Sequence, residues 1–228
     1  MKNNRAVILE TDFLNKNDIP KTSPAENSLF WKMWNDCKDI AEQALNTEYI
    51  QGIKTGTLSP TTFGAFNVND AYYCFNGAED YLNVSSRATD PILRGFLKQK
   101  HDSYAKYNDT FSQTWHIKDA SSVVPTKVCQ EYSEFETSVA SQNEPIYTLV
   151  AMLPCEYLWA WIADQLKSYT SGNIYASWIT GNDYFDGAYA MGNFLSAYQK
   201  NHSIDENLAM QIYQKAIEFE FQNFKTAM

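Results

Sequence analysis

The sequence contains few histidines and no close pair of cysteines, and both shortages argue against a metal site. Only three of its 228 residues are histidine. None stands in a Glu-x-x-His motif, so the ligand pattern of di-iron carboxylate bundles is missing. The four cysteines are Cys37, Cys74, Cys129 and Cys155. No two of them form a C-x-x-C motif, which argues against zinc and thioredoxin-type sites. We therefore expect no metal and no other cofactor.

Basic residues are also scarce. The chain carries 18 Lys and Arg against 27 Asp and Glu, a formal net charge of −9. A protein that binds nucleic acid needs a basic surface to neutralise phosphates, so neither nucleic acid nor an anionic membrane surface is expected as a partner. The start of the chain is too polar for a secretory signal, and we expect a cytoplasmic protein with reduced thiols.

One apolar run, residues 147–166, is long enough to cross a membrane. It contains Pro154, Glu156, Asp164 and Gln165. These residues are unfavourable in a lipid-facing segment, so the run predicts a buried helix of a globular core.

The rest of the pattern is helical. Apolar residues recur every three or four positions, strand-like alternation is rare, and turn residues recur every 20 to 30 positions. This predicts an all-α helical bundle. We expect a polar extension over residues 1–25 and a single all-α domain over 26–228. Within it, one amphipathic helix should start at Ser23–Pro24 and continue past residue 50, the next should start at Ser59–Pro60, and Gly181–Asn182 should interrupt a later one.

The triplet Pro154-Cys155-Glu156 lies in the middle of the apolar run. A proline inside a helix frees the carbonyl four residues earlier, and the resulting kink can open a cavity. A thiol that faces such a cavity can act as a nucleophile. The alternative is that Cys155 is a small buried apolar side chain, as most free cysteines are. This segment alone leaves both interpretations open.

Two acidic residues lie among aromatic ones. In "AIEFEFQNF", Glu220 shares a helix face with Ile217, Phe221 and Phe224. A carboxyl group there is paired, protonated or functional, and burial raises its pKa. In "NVNDAYYCF", Asp70 and Tyr73 are three residues apart and share a face. Asp70 is less informative alone, since it can also cap a neighbouring helix.

Four segments together resemble one known family. "GTLSPTTF" is followed by Asp70-Ala-Tyr-Tyr73, and "LVAMLPCEYLWAWIA", "IYASWI" and "EFEFQNF" come later in the same order as in that family. No single segment is specific, but their order and spacing are. The sequence is similar to the TenA proteins, or thiaminase II, which have a haem-oxygenase-like all-α fold.

The resemblance implies a hydrolase of thiamin salvage. Such enzymes convert 4-amino-5-aminomethyl-2-methylpyrimidine to the hydroxymethylpyrimidine with release of ammonia, and they also cleave thiamin. By correspondence, Cys155 would be the nucleophile that adds to the ring, Glu220 the acid and base, and Asp70 the group that holds the ring nitrogen and amine. Tyr73 and Tyr132 would flank the substrate. The resemblance also implies a homo-oligomer, a tetramer or dimer, whose partner is the small-molecule aminopyrimidine or thiamin.

The sequence departs from the family pattern at several positions. Asn69 replaces the usual glutamine before the aspartate, and Asn182 stands where a tyrosine is expected, so Tyr184 is the candidate for that role in substrate binding. The final tryptophan of the last motif is missing near Asn223. These changes leave the exact substrate open. Glu156 follows the cysteine by one residue and points about 100° away around the helix, so we do not expect it to be the catalytic carboxylate.

Two other functions remain open. The first is a non-catalytic pyrimidine-binding or regulatory protein on the same fold, but the retained Cys155, Asp70 and Glu220 favour catalysis. The second is a cofactor-free oxidase similar to the pyrroloquinoline quinone maturation enzymes, which needs histidines and arginines that are scarce here. The related haem oxygenases need a histidine in the first helix, and no histidine precedes His101.

Overall fold

The computed structural model describes residues 19–227, and this part of the chain contains helices and no strand. The predicted all-α fold is therefore confirmed. The helices are α1 (Leu29–Asp36), α2 (Lys38–Leu45), α3 (Glu48–Thr55), α4 (Pro60–Arg87), α5 (Pro91–Trp115), α6 (Lys127–Gln142), α7 (Ile146–Leu166), α8 (Ala176–Asn182), α9 (Asp186–Tyr198) and α10 (Glu206–Lys225). Short 3-10 turns occur at Ala120–Ser122 and Lys167–Tyr169.

Helix α7 forms the centre of the bundle. It is apolar around its whole circumference and packs against α6, α8, α9 and α10. Helix α4 in turn packs against α5 and α6. By length and composition the stretch Ile146–Tyr169 is apolar enough to cross a membrane, but 78% of its apolar window is buried inside the fold. That burial is typical of the core helix of a soluble protein.

The predicted start of the second long helix is confirmed in detail. Gly56 ends α3 with a φ of 70°, the left-handed conformation that glycine adopts without strain. The Ser59 hydroxyl then accepts a hydrogen bond from the amide of Thr61, and Pro60 is the first residue of α4. These local signals fix where α4 begins and thereby the position of Asp70 and Tyr73 along it.

The prediction of one long first helix from Ser23–Pro24 is wrong. Helix α1 begins at Leu29, and the segment divides into α1, α2 and α3. Pro24 instead lies in an irregular stretch before α1. Its carbonyl accepts a hydrogen bond from Trp31 Nε1 at 2.9 Å. The break between α2 and α3 falls at Thr47, which is extended and whose hydroxyl donates to the Ala44 carbonyl at 2.8 Å. Three short helices can each turn their apolar side to the core, which a straight helix of that length could not do.

Two further boundaries differ or lie outside the described part. Gly181 and Asn182 belong to α8, and the interruption before α9 covers residues 183–185 instead. Most of the predicted extension over residues 1–25 lies outside the described residues. Its last part lies against α9, where the Asn193 side chain donates to the carbonyls of Pro20 and Thr22, both at 2.8 Å. The domain boundary at residue 26 stays a prediction.

Candidate active site

A cavity of about 530 Å³ opens between α4, α5, α7 and the segment that joins α8 to α9. Three of the six predicted site residues, Asp70, Cys155 and Tyr184, line it. The volume is within the range of small-molecule sites. Its wall also includes Lys100, Tyr104, Tyr107, Glu156, Trp159 and Asn182.

Cys155 contributes a thiol to the cavity wall from the middle of α7, one residue after Pro154. The helix continues through the proline, which has no amide to donate to the carbonyl of Val150. Burial is the main cause that raises the pKa of the Cys155 thiol well above its usual value, and the carboxyl groups of Glu220 and Asp70 raise it further. The neighbouring Tyr73 hydroxyl lowers this pKa, and the Tyr104 hydroxyl lies 4.0 Å from the sulfur. The thiol is therefore protonated at neutral pH, and a nucleophilic role requires a group that accepts its proton.

Glu220 lies behind this wall and is 2% exposed. Both of its oxygens accept hydrogen bonds at 3.0 Å, Oε1 from the Tyr132 hydroxyl and Oε2 from Trp159 Nε1. Burial raises the pKa of Glu220 to about 7, and hydrogen bonds from Trp159, Tyr132 and Cys155 limit the rise. A carboxyl group with such a pKa can both give and take a proton at neutral pH.

Asp70 projects from α4 toward the same cavity. Burial, and next the charge of Glu220, raise its pKa to about 7, while a contact of 3.9 Å with the Cys74 thiol lowers it slightly. The two carboxyl groups therefore oppose each other's ionisation, and a ligand with amine or amidine hydrogens would relieve this repulsion. Within residues 19–227, no group of three or more His, Cys, Asp or Glu side chains is placed to hold a metal ion.

Tyr73 and Tyr132 lie side by side behind Cys155, with ring centroids 4.7 Å apart. The Tyr73 hydroxyl donates to Glu136 Oε1 at 2.9 Å. The two tyrosine oxygens are 3.5 Å apart, so the structure joins Glu220, Tyr132, Tyr73 and Glu136 in one buried chain of polar groups.

Sequence reasoning missed Glu136, although a signal for it exists. Glu136 is 1% exposed and lies on the inner face of α6 with Cys129, Tyr132 and Val139. These positions repeat every three or four residues, which is the same pattern that singled out Glu220 in α10. Trp159 was also missed, because a tryptophan inside an apolar run gives no sign that its ring nitrogen meets a carboxylate.

Tyr184 lies at the outer part of the cavity and is 62% exposed. Its hydroxyl donates to Asp186 Oδ2 at 2.7 Å. The structure thus places Tyr184 at the same cavity as Cys155 but away from the buried carboxyl groups. Its role in substrate binding stays a prediction.

Glu156 forms an ion pair with Lys100 of α5, and both side chains are largely buried. Its side chain borders the same cavity as Cys155, so the expectation that Glu156 is not the catalytic carboxylate stays a prediction. Gly187 approaches so closely that an added Cβ would overlap Glu156 Oε2. The pair therefore joins α5 and α7 directly beneath the start of α9.

Two departures from the family pattern meet in space. The Asn69 amide donates to Asn223 Oδ1 at 3.2 Å and accepts from the amide of Thr126 at 2.9 Å. Asn69 therefore connects α4 with α10 and with the start of α6, next to Asp70 and Glu220. The unusual residues at 69 and 223 support each other and leave the acidic groups in place.

Comparison with known proteins finds similar structures and one matching family. The structure is similar to a TenA homologue from P. horikoshii, with a TM-score of 0.76, 20% identity and coverage of 88% of this chain and 98% of the other. It is also similar to a TenA family transcription regulator from Silicibacter sp., with a TM-score of 0.75, 15% identity and coverage of 87% and 96%. A proposed TenA-like thiaminase from Sulfolobus solfataricus has a TM-score of 0.67 and 16% identity, with coverage of 86% and 93%.

These identities are low, so the three structures show a shared fold. No curated protein matches the sequence. The model of the TENA/THI-4/PQQC family, by contrast, matches residues 34–228, which is most of the chain and includes Asp70, Cys155 and Glu220. The chain therefore belongs to the TENA/THI-4/PQQC family.

Proposed function

We propose that this protein is an aminopyrimidine aminohydrolase that uses Cys155 as its nucleophile. The observation that carries the proposal is the meeting of a thiol and a carboxyl group, Cys155 and Asp70, in the wall of one cavity with Glu220 directly behind it. A flat ring with an amine at its edge fits a site built from aromatic walls and carboxyl groups. The substrate class is an aminopyrimidine such as 4-amino-5-aminomethyl-2-methylpyrimidine, with thiamin as a second candidate.

Asp70 would bind the substrate first. Its carboxyl group accepts hydrogen bonds from the exocyclic amine or from a protonated ring nitrogen, and this offsets the cost of its burial. Transfer of the Asp70 proton to a ring nitrogen would draw electrons from the ring, so that a ring carbon becomes easier to attack. Asp70 thereby fixes which edge of the ring faces Cys155.

The reaction would then proceed through a covalent adduct. As the Cys155 sulfur adds to the ring, the thiol gives its proton to the carboxylate of Glu220, and the ring loses its aromaticity for a moment. Glu220 then supplies this proton to the departing amine, which leaves from the side group as ammonia. The deprotonated Glu220 takes a proton from the water that replaces the amine and returns it to the sulfur, whose release restores the aromatic ring.

Incubation with the aminomethylpyrimidine and, separately, with thiamin tests the proposal. We expect ammonia and the hydroxymethylpyrimidine from the first, and pyrimidine and thiazole products from the second if thiamin is also a substrate. Cys155→Ser should lower turnover by about 10²-fold or more, because a serine hydroxyl is a weak nucleophile without a strong base. A Cys155→Ser variant with the activity of the original protein would contradict the covalent mechanism.

Cys37→Ala provides the matched control. Cys37 is a buried thiol between α1 and α2, and it is not part of the cavity wall. The variant should keep its turnover once the folded fraction is measured. If neither substrate is converted by the original protein, the proposal of hydrolysis fails.

One comparison favours an alternative function. The relative from Silicibacter sp. is named a transcription regulator, so the second candidate is a protein that binds a pyrimidine without converting it. A rise in melting temperature with the aminopyrimidine, together with no product, would support this alternative. Release of product would exclude it.

We further propose a cytoplasmic, self-associating protein. The four cysteines are all free thiols, as expected in a reducing compartment. Exposed aromatic residues such as Tyr107 and Tyr169 are available for contacts between copies. Light scattering after gel filtration would give the mass of the assembly, and a monomer would contradict the expected tetramer or dimer.

A further inference from the structure

Tyr104 of α5 lines the cavity beside Cys155, and the proposed reaction gives it no part. Only 9% of its side chain is exposed. Its hydroxyl donates toward the Cys155 sulfur, with 4.0 Å between the oxygen and the sulfur. Hydrogen bonds of catalytic groups are often long in the absence of substrate, and a contact of this kind becomes shorter and stronger when the acceptor is charged. The contact therefore matters most once the thiol has lost its proton.

Packing against α4 holds the Tyr104 ring in place. The ring meets that of Tyr81 edge-on, with centroids 5.2 Å apart. Gly77 leaves the space that the ring occupies, since an added Cβ there would lie 3.1 Å from Tyr104 Cε1. The direction of the hydroxyl is thus set by the contact between two helices and does not depend on the thiol alone.

Neither lysine of the described cavity wall is free to balance a charge on the sulfur. The two are Lys21 and Lys100. Lys100 is paired with Glu156, and Lys21 Nζ lies 3.9 Å from Asp186 Oδ2. A thiolate at Cys155 therefore depends on neutral hydrogen-bond donors, and a tyrosine hydroxyl is such a donor.

The titratable groups around Cys155 are mostly acids. Those that face it are Asp70, Tyr73, Cys74 and Tyr81 of α4, Lys100, Tyr104 and Tyr107 of α5, Tyr132 and Glu136 of α6, Glu156 of α7 and Glu220 of α10. Burial, and next the charge of Cys155, raise the pKa of Tyr104 well above its usual value. The Tyr104 hydroxyl therefore keeps its proton, and remains a donor, when the sulfur is charged.

From this geometry we infer that Tyr104 stabilises the thiolate of Cys155 by donating a hydrogen bond to its sulfur. The inference rests on the nucleophilic role of Cys155 in the proposed function and adds a residue to it. The S–H bond breaks as the bond from sulfur to carbon forms, and the thiol proton goes to Glu220 as proposed above. The O–H bond of Tyr104 stays intact throughout, so Tyr104 positions and stabilises the sulfur without taking up a proton.

Alkylation of Cys155 by iodoacetamide tests the inference without any substrate. The reagent reacts with the thiolate, and mass spectrometry of the digested protein reports the reaction at Cys155 separately from the three other cysteines. Tyr104→Phe removes the hydroxyl and keeps the ring. We expect alkylation at Cys155 to be about tenfold slower at neutral pH, because loss of a donor to a charged acceptor raises the pKa of the thiol.

The pH profile separates this role from a structural one. Short pulses of reagent over a range of pH should show the profile of Tyr104→Phe displaced toward higher pH, with an undiminished rate at the alkaline plateau, where the thiol is ionised in both proteins. A loss that persists at the plateau would mean restricted access to the sulfur and would overturn the inference. An unchanged profile would overturn it as well. Tyr104→Met also lacks the donor and decides the question if Tyr104→Phe does not fold.

Tyr81→Phe is the matched control. Tyr81 packs against Tyr104, and its buried hydroxyl has no hydrogen-bond partner among the described residues. Its variant should alkylate at the original rate within about twofold, and a loss as large as that in Tyr104→Phe would assign the effect to packing and overturn the inference.

The same variants separate the inference from the proposed function. If the original protein converts no aminopyrimidine but Tyr104→Phe alkylates as expected, the proposed function fails and the inference about the thiol stands. If the original protein does convert it and the alkylation profile of Tyr104→Phe is unchanged, the proposed function stands and the inference fails.

Discussion

Glu220 is held by donors from two other helices, Tyr132 of α6 and Trp159 of α7. This arrangement keeps the carboxyl group in one orientation and stabilises its charged form against the cost of burial. Its pKa of about 7 is thus the result of two opposing contributions, with burial the larger. Changes to the donors should therefore alter the pH dependence of the reaction.

Trp159→Phe removes one of these donors and retains an aromatic ring in the wall. Loss of the hydrogen bond raises the pKa of Glu220 further, so the limb of the pH–rate profile that reports Glu220 should move to higher pH. A hydrogen bond to a charged group contributes about 1.5–3 kcal/mol, which predicts a roughly tenfold to hundredfold lower kcat/KM where Glu220 must be charged. Steady-state kinetics across a range of pH measures both effects.

Trp161→Phe is the control for this change. Trp161 lies on the same helix but packs edge-on against Trp34, with ring centroids 5.3 Å apart. Its variant should keep the original pH profile. An unchanged pH profile in Trp159→Phe would show that the Trp159 hydrogen bond does not affect the pKa of Glu220.

At the level of single residues, the sequence predicts the acidic groups better than their partners. A helical face that is otherwise apolar indicates a buried carboxyl group, and this identified Glu220. The grouping of Asp70, Tyr73, Tyr132 and Cys155 rests on family resemblance, since no local pattern links residues so far apart in the chain. The Lys100–Glu156 pair could not be predicted, because an exposed-looking lysine on α5 gives no sign of its partner on α7.

At the level of helices, Gly187 determines how closely α9 approaches α7. An added Cβ there would overlap Glu156 Oε2 and come within 3.9 Å of Lys100 Nζ. Gly187→Ala should force the carboxylate away from its largely buried partner. We expect a loss of about 1–3 kcal/mol in the free energy of unfolding, as measured by urea denaturation.

Gly95→Ala is the matched control on α5. The space around a Cβ at Gly95 is open, with no heavy atom within 4 Å. Because alanine favours helix more than glycine does, this variant should gain up to about 1 kcal/mol. Equal stability of Gly187→Ala and the original protein would mean that Glu156 moves without cost.

Helix boundaries that depend on local chemistry were predicted, and those that depend on packing were not. Ser59, Pro60 and Gly56 act within a few residues of themselves, so their effect is visible in the sequence. The division of the first helix depends on which side of each short helix meets α10 and α9. That is a property of the assembled bundle, and the amphipathic pattern continues across the breaks.

For the whole molecule, the helical periodicity was sufficient to predict an all-α bundle, and the apolar run was sufficient to predict that α7 is buried. The apolar run has no polar face, and such a helix must be surrounded by others or by lipid. The acidic residues inside the run favoured a position among other helices over a position in lipid. Periodicity could not predict the cavity, because its walls come from four separate parts of the chain.

Buried carboxyl groups make the stability of the whole protein depend on pH. Burial raises the pKa of Asp70 and Glu220 to about 7, and that of Asp80 to about 6. Between their ordinary and raised pKa values, these groups keep their protons in the folded state and lose them in the unfolded state. Their contribution to stability is therefore complete below about pH 4 and is lost as the pH rises to about 7, by an amount on the order of 3 kcal/mol for each group.

Glu220→Gln isolates one of these contributions, because the amide stays neutral at every pH. The variant and the original protein should have similar melting temperatures at about pH 4, where Glu220 is protonated in both states. At about pH 8 the variant should melt higher, since only the original protein must bury a charge or take up a proton to fold. The surface carboxyl groups are the same in both proteins and cancel in the difference. A difference in melting temperature that stays constant from acid to neutral pH would contradict the raised pKa of Glu220 and with it the proposed acid and base role of this residue.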